Sequence, residues 1–150
     1  MYVNTLTIKD FKNFARETVE FLHPRCHQGD FPNINLLVGP NSSGKTSVLR
    51  ALCLGILSEM LPASGYVPAH LVRQDPEKKI TGAKIKVSLT TADGKPLEIE
   101  ANIDQQRGIV TNGANPKLNA LFDDGGQEFF LLAYGASRWV PIFGAGDNPS

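Results

Sequence analysis

The chain has 150 residues, 41% of them hydrophobic and 20% charged, with 15 basic and 15 acidic side chains. That length and balance suit one folded domain with a real core, and they exclude a disordered chain or a small scaffold stapled by disulfides. A formal net charge of zero excludes a global basic field that would draw the protein to nucleic acid or membrane, leaving only local ones.

The start, "MYVNTLTIKDF", lacks the basic-then-apolar layout of a signal peptide. No stretch reaches the roughly eighteen uninterrupted apolar residues that a membrane span needs. Two cysteines, Cys26 and Cys53, make no disulfide framework and point to a reducing compartment. The expected location is cytoplasmic, with no membrane partner.

Tyr2 to Lys9, with Val3, Leu6 and Ile8 apolar among polar neighbours, predicts a first strand. Ala15 to Leu22, "ARETVEFL", predicts a second. The short "DFKNF" between them allows only an antiparallel pair. "HPRCHQGDFPN" is rich in turn formers and predicts a loop. "INLLVG", from Ile34 to Gly39, is apolar without alternation, which suits a strand covered on both faces. After Lys45 the apolar residues Val48, Leu49, Ala51, Leu52, Leu54, Ile56 and Leu57 fill most of a helical circumference. They predict a largely buried helix that ends by Leu61, because Pro62 forbids continuation.

Pro62 to Gly82 is polar, carries three prolines and "DPEKK", and reads as loop with room for a short helix. "AKIKVSLTTADGKPLEIEANID" is the clearest hairpin. Ile85, Val87 and Leu89 alternate, Asp93-Gly94 turns, and Leu97, Ile99 and Ala101 alternate again. "RGIVTNG" is a candidate third strand, "NPKLNALFDDGG" a short helix ended by glycine, and "EFFLLAYG" a candidate central strand.

The chemistry lies at Gly39-x-x-x-x-Gly44-Lys45-Thr46, which matches the Walker A pattern. A buried strand ends, successive N–H groups wrap inward, and a helix begins with its positive dipole end facing the same point. Glycines are required where a side chain would exclude the phosphate or where the backbone needs positive φ. Gly39, Pro40, Asn41, Ser42, Ser43, Gly44, Lys45, Thr46 and Ser47 are the expected nucleotide-binding residues. Lys45 is also the expected catalytic residue, reaching the β- and γ-phosphates, and the Thr46 hydroxyl is the expected Mg²⁺ ligand. At this composition the bare pattern arises by chance in on the order of one chain in a hundred. An apolar run before it and an apolar helix after it lower that further. The expected cofactors are ATP and Mg²⁺.

"LTIKDFKNFARETVEF" followed by "NLLVGPNSSGKTSVLRAL" resembles the amino-terminal lobe of ABC-type ATPases of the SMC, RecF and OLD kind. Members begin with a strand, an F-x-x-F turn and a second strand, then a loop close to G-x-N-G-S-G-K-T. This chain departs from that loop only in carrying Ser42 where the pattern has glycine. "FFLLAYGASR" also resembles a segment of stand-alone bacterial members. The resemblance implies an α/β P-loop lobe with an antiparallel β-rich subdomain. It implies that Asn41 lies against the phosphates and that Lys12 and Asn13 lie near the adenine or ribose. It further implies paired heads, as a homodimer or hetero-oligomer, closing on ATP, with DNA or an effector protein as partner. DNA repair or phage defence are the implied settings.

Hydrolysis needs a second acidic ligand for Mg²⁺ and a group that orients water. In the resembled group these follow a serine-glycine-glycine signature and a buried strand. Asp123-Asp124 follows only "ALF", so a helix end and turn is the better reading there. "DDGGQEFF", with Gly125, Gly126 and Gln127, has no serine before its glycines. After "EFFLLAYG" stand Ser137 and Arg138, without the glutamine that senses Mg²⁺ in the group. Arg138 suits a phosphate contact or a buried ion pair equally. His23, Cys26 and His27 lack a fourth zinc ligand, and Trp139 reads as a core aromatic.

The expectation is therefore that residues 1–150 form the amino-terminal lobe of a longer ATPase, with little turnover of its own. One rival is a self-contained small P-loop NTPase or kinase using Asp123 and Asp124. Another is a non-catalytic module that nucleotide merely stabilises.

Overall fold

The computed structural model describes residues 1–23, 31 and 34–111. Among the described residues five antiparallel strands form one sheet in the order β2-β1-β3-β4-β5. They are β1 (Tyr2–Phe11), β2 (Phe14–Glu20), β3 (Gly82–Thr90), β4 (Pro96–Asp104) and β5 (Gly108–Thr111). One helix, α1 (Lys45–Ile56), crosses one face of this sheet, and 3-10 turns at Leu61–Ser64 and Ala69–Leu71 lead back towards it. Among the described residues, no helix is long and apolar enough to cross a membrane.

Alternation builds the core. Leu6, Val87 and Ile99 lie side by side in register, as do Ile8, Ile85 and Ala101, and all six are buried. Val48, Ala51, Leu54 and Ile56 of α1 cover this face. The apolar spacing of β1 is three residues from Val3 to Leu6 and then two to Ile8. A register shift between Val3 and Thr5 absorbs the extra residue and keeps both ends facing inward. Gly55 allows the helix its close approach: a Cβ there would sit 2.6 Å from Val87 Cγ2 and 3.0 Å from Ile85 Cγ2.

The hairpin falls where the alternation places it. β3 and β4 pair from Gly82↔Asp104 to Thr90↔Pro96, and Thr91–Lys95 closes them with Gly94 at φ 85°. "RGIVTNG" supplies β5, paired to β4 from Asp104↔Gly108 to Ala101↔Thr111.

Two expectations need correction. Residues 34–39 form no strand, and Ile34, Leu36 and Val38 are 58%, 83% and 82% exposed. Contiguous apolar residues report a need for cover on both faces. Among the described residues no strand pairs with this segment, and of its apolar side chains Leu37 packs against the core while Ile34, Leu36 and Val38 stay exposed, so it forms no ladder. The second correction concerns α1, which is buried on one face only. Leu49 is half exposed, because the sheet lies on one side of the helix and no described element lies on the other. The helix ends at Ile56, within the expected limit, and Pro62 is the second residue of the first 3-10 turn. "NPKLNALFDDGG", "EFFLLAYG" and the loop at 24–30 lie outside the described residues.

Candidate functional site

The residues expected to bind phosphate run from the end of the unpaired segment at 34–39 into the first turn of α1. Gly44 is the N-cap of the helix, with φ 97°, and no side chain caps it. No acidic residue stands in the first turn. The first helical hydrogen bond runs from Val48 N–H to the Gly44 carbonyl, 2.9 Å. The amides of Lys45, Thr46 and Ser47 therefore precede the intrahelical ladder, and the helix dipole adds partial positive charge at the same place. A helix start without cap or carboxylate has room for an anion from outside.

The loop closes upon itself. The Ser43 amide donates to the Pro40 carbonyl at 3.3 Å, and Lys45 Nζ donates to the carbonyls of Gly39 and Pro40 at 2.6 and 2.7 Å. These bonds hold the ammonium across the mouth of the loop. Pro40, Asn41, Ser42, Ser43 and Thr46 are exposed, and Ser47 is half-buried. Ser42, standing where the resembled loop has glycine, takes the left-handed conformation at φ 68°. That backbone explains the glycine preference at this position.

Lys12 and Asn13 form the two-residue turn between β1 and β2, with Phe11 and Phe14 paired on either side. Lys12 has φ 50°, the sign that such tight hairpins require. The turn is anchored from below: the Lys12 amide donates to the Leu71 carbonyl at 2.7 Å, and the Arg73 amide to the Asp10 carbonyl at 2.8 Å. Strict alternation from Ile8 would put Phe11 on the open face of the sheet. Asp10, at φ 53°, breaks that alternation, and Phe11 is fully buried. The Phe14 ring then packs against Gly44, which brings the turn beside the loop.

Sequence reasoning missed two contacts. The first is Phe14 against Gly44, for which the second aromatic of F-x-x-F was the available signal. The second is Asn35, whose Oδ1 accepts from the Leu22 amide at 2.6 Å while its Nδ2 donates to the Leu22 carbonyl at 3.2 Å. This side chain imitates a strand partner and ties the extended segment to the end of β2. No sequence signal marked it.

The remaining expected residues divide simply. His23 is buried and stacked on Tyr2, with ring centroids 4.8 Å apart. Burial pushes the Cys53 thiol up from its ordinary range, the opposite of what a reactive cysteine needs. Among the described residues no group of three or more His, Cys, Asp and Glu could hold a metal. Asp123, Asp124, Gln127, Ser137, Arg138 and Trp139 lie outside the described residues.

Comparison with known proteins places this arrangement in context. A family model described as an AAA domain matches residues 5–130. The DNA replication and repair protein RecF of Acetivibrio thermocellus is 27% identical over 116 residues, covering 75% of this chain. The DNA repair protein RAD50 of Saccharomyces cerevisiae is 33% identical over 97 residues, covering 64% of this chain. Structural maintenance of chromosomes protein 2 of Xenopus laevis is 31% identical over 124 residues, covering 79%. The matches span only 27%, 7% and 10% of those relatives' lengths.

A solved structure from work on ATP-driven dimerization and DNA-stimulated activation of SMC ATPases superposes with a TM-score of 0.58 at 17% identity. It covers 82% of this chain and 76% of its own. A structure of the recombination mediator RecF with ATP superposes with a TM-score of 0.54 at 23% identity, covering 75% of this chain and 26% of its own. The fold is shared with both.

Proposed function

The chain belongs to the AAA domain family and is homologous to the amino-terminal ATPase lobes of RecF, RAD50 and SMC proteins, and from that premise we propose that it binds ATP with Mg²⁺ as one lobe of an ABC-type ATPase head. The observation that carries the reading is the start of α1: uncapped, free of carboxylates, opened by a left-handed glycine, with the Lys45 ammonium held across the loop. Each of these features favours a bound polyphosphate over water.

In this reading the main-chain amides from Asn41 to Ser47 surround the phosphates, with Asn41, Ser42 and Ser43 on the loop's exposed side. Lys45 exchanges its carbonyl partners for phosphate oxygens, at little cost in hydrogen bonding. Thr46 presents its hydroxyl to Mg²⁺, while Lys12 and Asn13 border the nucleoside side of the site. When bound, the metal would draw charge from the phosphates. The residues described here hold and orient the nucleotide but supply no group for activating water.

Hydrolysis, in the same proposal, belongs to a complete head, of which residues 1–150 are the first lobe. The exposed apolar side chains of Ile34, Leu36, Val38 and Leu49 support that view, since among the described residues no second layer covers them. Two such heads would close on ATP as a homodimer or hetero-oligomer, with DNA as the favoured partner and repair as the favoured setting. An effector protein as partner and phage defence as setting are the alternatives.

The test is an ATP titration by calorimetry, with and without Mg²⁺, on the parent and on Thr46→Ala. The parent should bind ATP more tightly with Mg²⁺, and Thr46→Ala should lose that gain while matching the parent in chelator. A folded parent that binds no ATP under either condition overturns the reading.

A further inference from the structure

We infer that Phe14 is a positioning residue for the phosphate loop, acting through Gly44; the inference rests on the nucleotide-binding reading above. A Cβ built on Gly44 would lie 3.0 Å from Phe14 Cε2, 3.3 Å from Cε1 and closer still to Cζ. Carbon atoms in contact prefer about 3.5–4.0 Å, so the tip of the ring already occupies the space a side chain would need. Gly44 is thus constrained from outside as well as by its own φ of 97°.

The ring has a firm base. Phe14 opens β2 directly opposite the fully buried Phe11, and the turn between them is tied to residues 71–73 by the Lys12–Leu71 and Asp10–Arg73 hydrogen bonds. Phe14 itself packs against the hydrophobic core. A side chain so mounted transmits the position of the antiparallel sheet to the first residue of the loop–helix junction.

The junction needs such a support. Gly44 caps α1 without any side-chain hydrogen bond, and glycine is the residue most free to leave the conformation it occupies. The direction of the first helical amides depends on that one backbone position. By filling the space beside Gly44, the ring restricts it to the left-handed turn before the nucleotide arrives. Binding then spends less free energy on ordering the loop.

The geometry makes an unusual demand on substitution. Cζ is the ring atom nearest the glycine, so a para hydroxyl would push directly into the loop. Phe14→Tyr, ordinarily the mildest exchange for a half-buried phenylalanine, should weaken ATP binding on the order of tenfold while leaving the thermal midpoint of the nucleotide-free protein nearly unchanged. A ring that packed only on the core, without bearing on Gly44, would tolerate that hydroxyl.

A double-substitution cycle gives the second readout. Gly44→Ala, Phe14→Ala and the pair are compared for ATP affinity, each at a temperature where unfolding curves show it folded. Because removing the ring vacates the space, Gly44→Ala should cost several-fold less in the Phe14→Ala background than in the parent. Where Phe14→Ala fails to fold, Phe14→Leu replaces it in the cycle, since leucine keeps core packing but does not reach the glycine. Unaltered ATP affinity in Phe14→Tyr, or equal costs of Gly44→Ala in both backgrounds, overturns the inference while leaving nucleotide binding intact. A folded parent that binds no ATP overturns both.

Discussion

Lys45 Nζ lies 2.6 Å from the Gly39 carbonyl and 2.7 Å from the Pro40 carbonyl, so the cation proposed to meet phosphate also fastens the loop's two ends together. Replacing it removes a charge and a brace at once. Lys45→Ala should weaken ATP binding on the order of a hundredfold, from the loss of charge-assisted hydrogen bonds. Fluorescent-nucleotide titration measures this. The thermal midpoint without nucleotide should move little, because the loop is exposed and both carbonyls can turn to water.

Ser42 tests the loop from the other side. A non-glycine residue in the left-handed region costs roughly 1–2 kcal/mol, part of which is offset by the greater freedom glycine gains in the unfolded chain. Ser42→Gly should therefore stabilise the protein by about 0.5–1 kcal/mol in chemical denaturation. A loss of stability would mean that Ser42 makes a compensating contact on its own account.

Gly55 is the point where α1 meets the sheet. The added methyl of Gly55→Ala would meet Val87 Cγ2 at 2.6 Å and Ile85 Cγ2 at 3.0 Å, both on branched side chains in a filled core. Overpacking of this kind costs about 1–3 kcal/mol, which outweighs the helix propensity that alanine brings. Urea denaturation of Gly55→Ala should show that loss. Relief by Val87→Ala in the same chain would locate the strain.

Asp93 in the β3–β4 turn makes a pH prediction. The Lys95 ammonium, and then the Thr91 hydroxyl, hold its carboxyl down from 3.8 to about 2. A folded pKa below the unfolded value stabilises the fold above the unfolded value, and that contribution fades as pH falls from near 4 towards 2. Asp93→Asn should flatten this part of the stability–pH curve by lowering the neutral plateau slightly while leaving the acid end, near pH 2, almost unchanged. The carboxylate is exposed to solvent, so the effect should be small and should shrink further in high salt.

Much of the sheet was legible in the sequence because its signal is local. Ile85, Val87 and Leu89 alternate against Leu97, Ile99 and Ala101, and one buried face makes any other register expensive. The β1–β2 pair followed from the shortness of "DFKNF" alone. By contrast, "INLLVG" has the composition of a covered strand, yet cover is a property of neighbours. None of the described strands pairs with it.

By itself, the sequence determined the Gly39–Thr46 pattern, the helix after it and the inward faces of β3 and β4. Spacing along the chain decides those. Only the tertiary structure decided that Asp10 would break alternation to bury Phe11, that Asn35 would clamp Leu22, and that the Phe14 ring would come to rest on Gly44. Each depends on residues far enough apart that their meeting is set by the twist of strands and the packing of a helix, which no local period encodes.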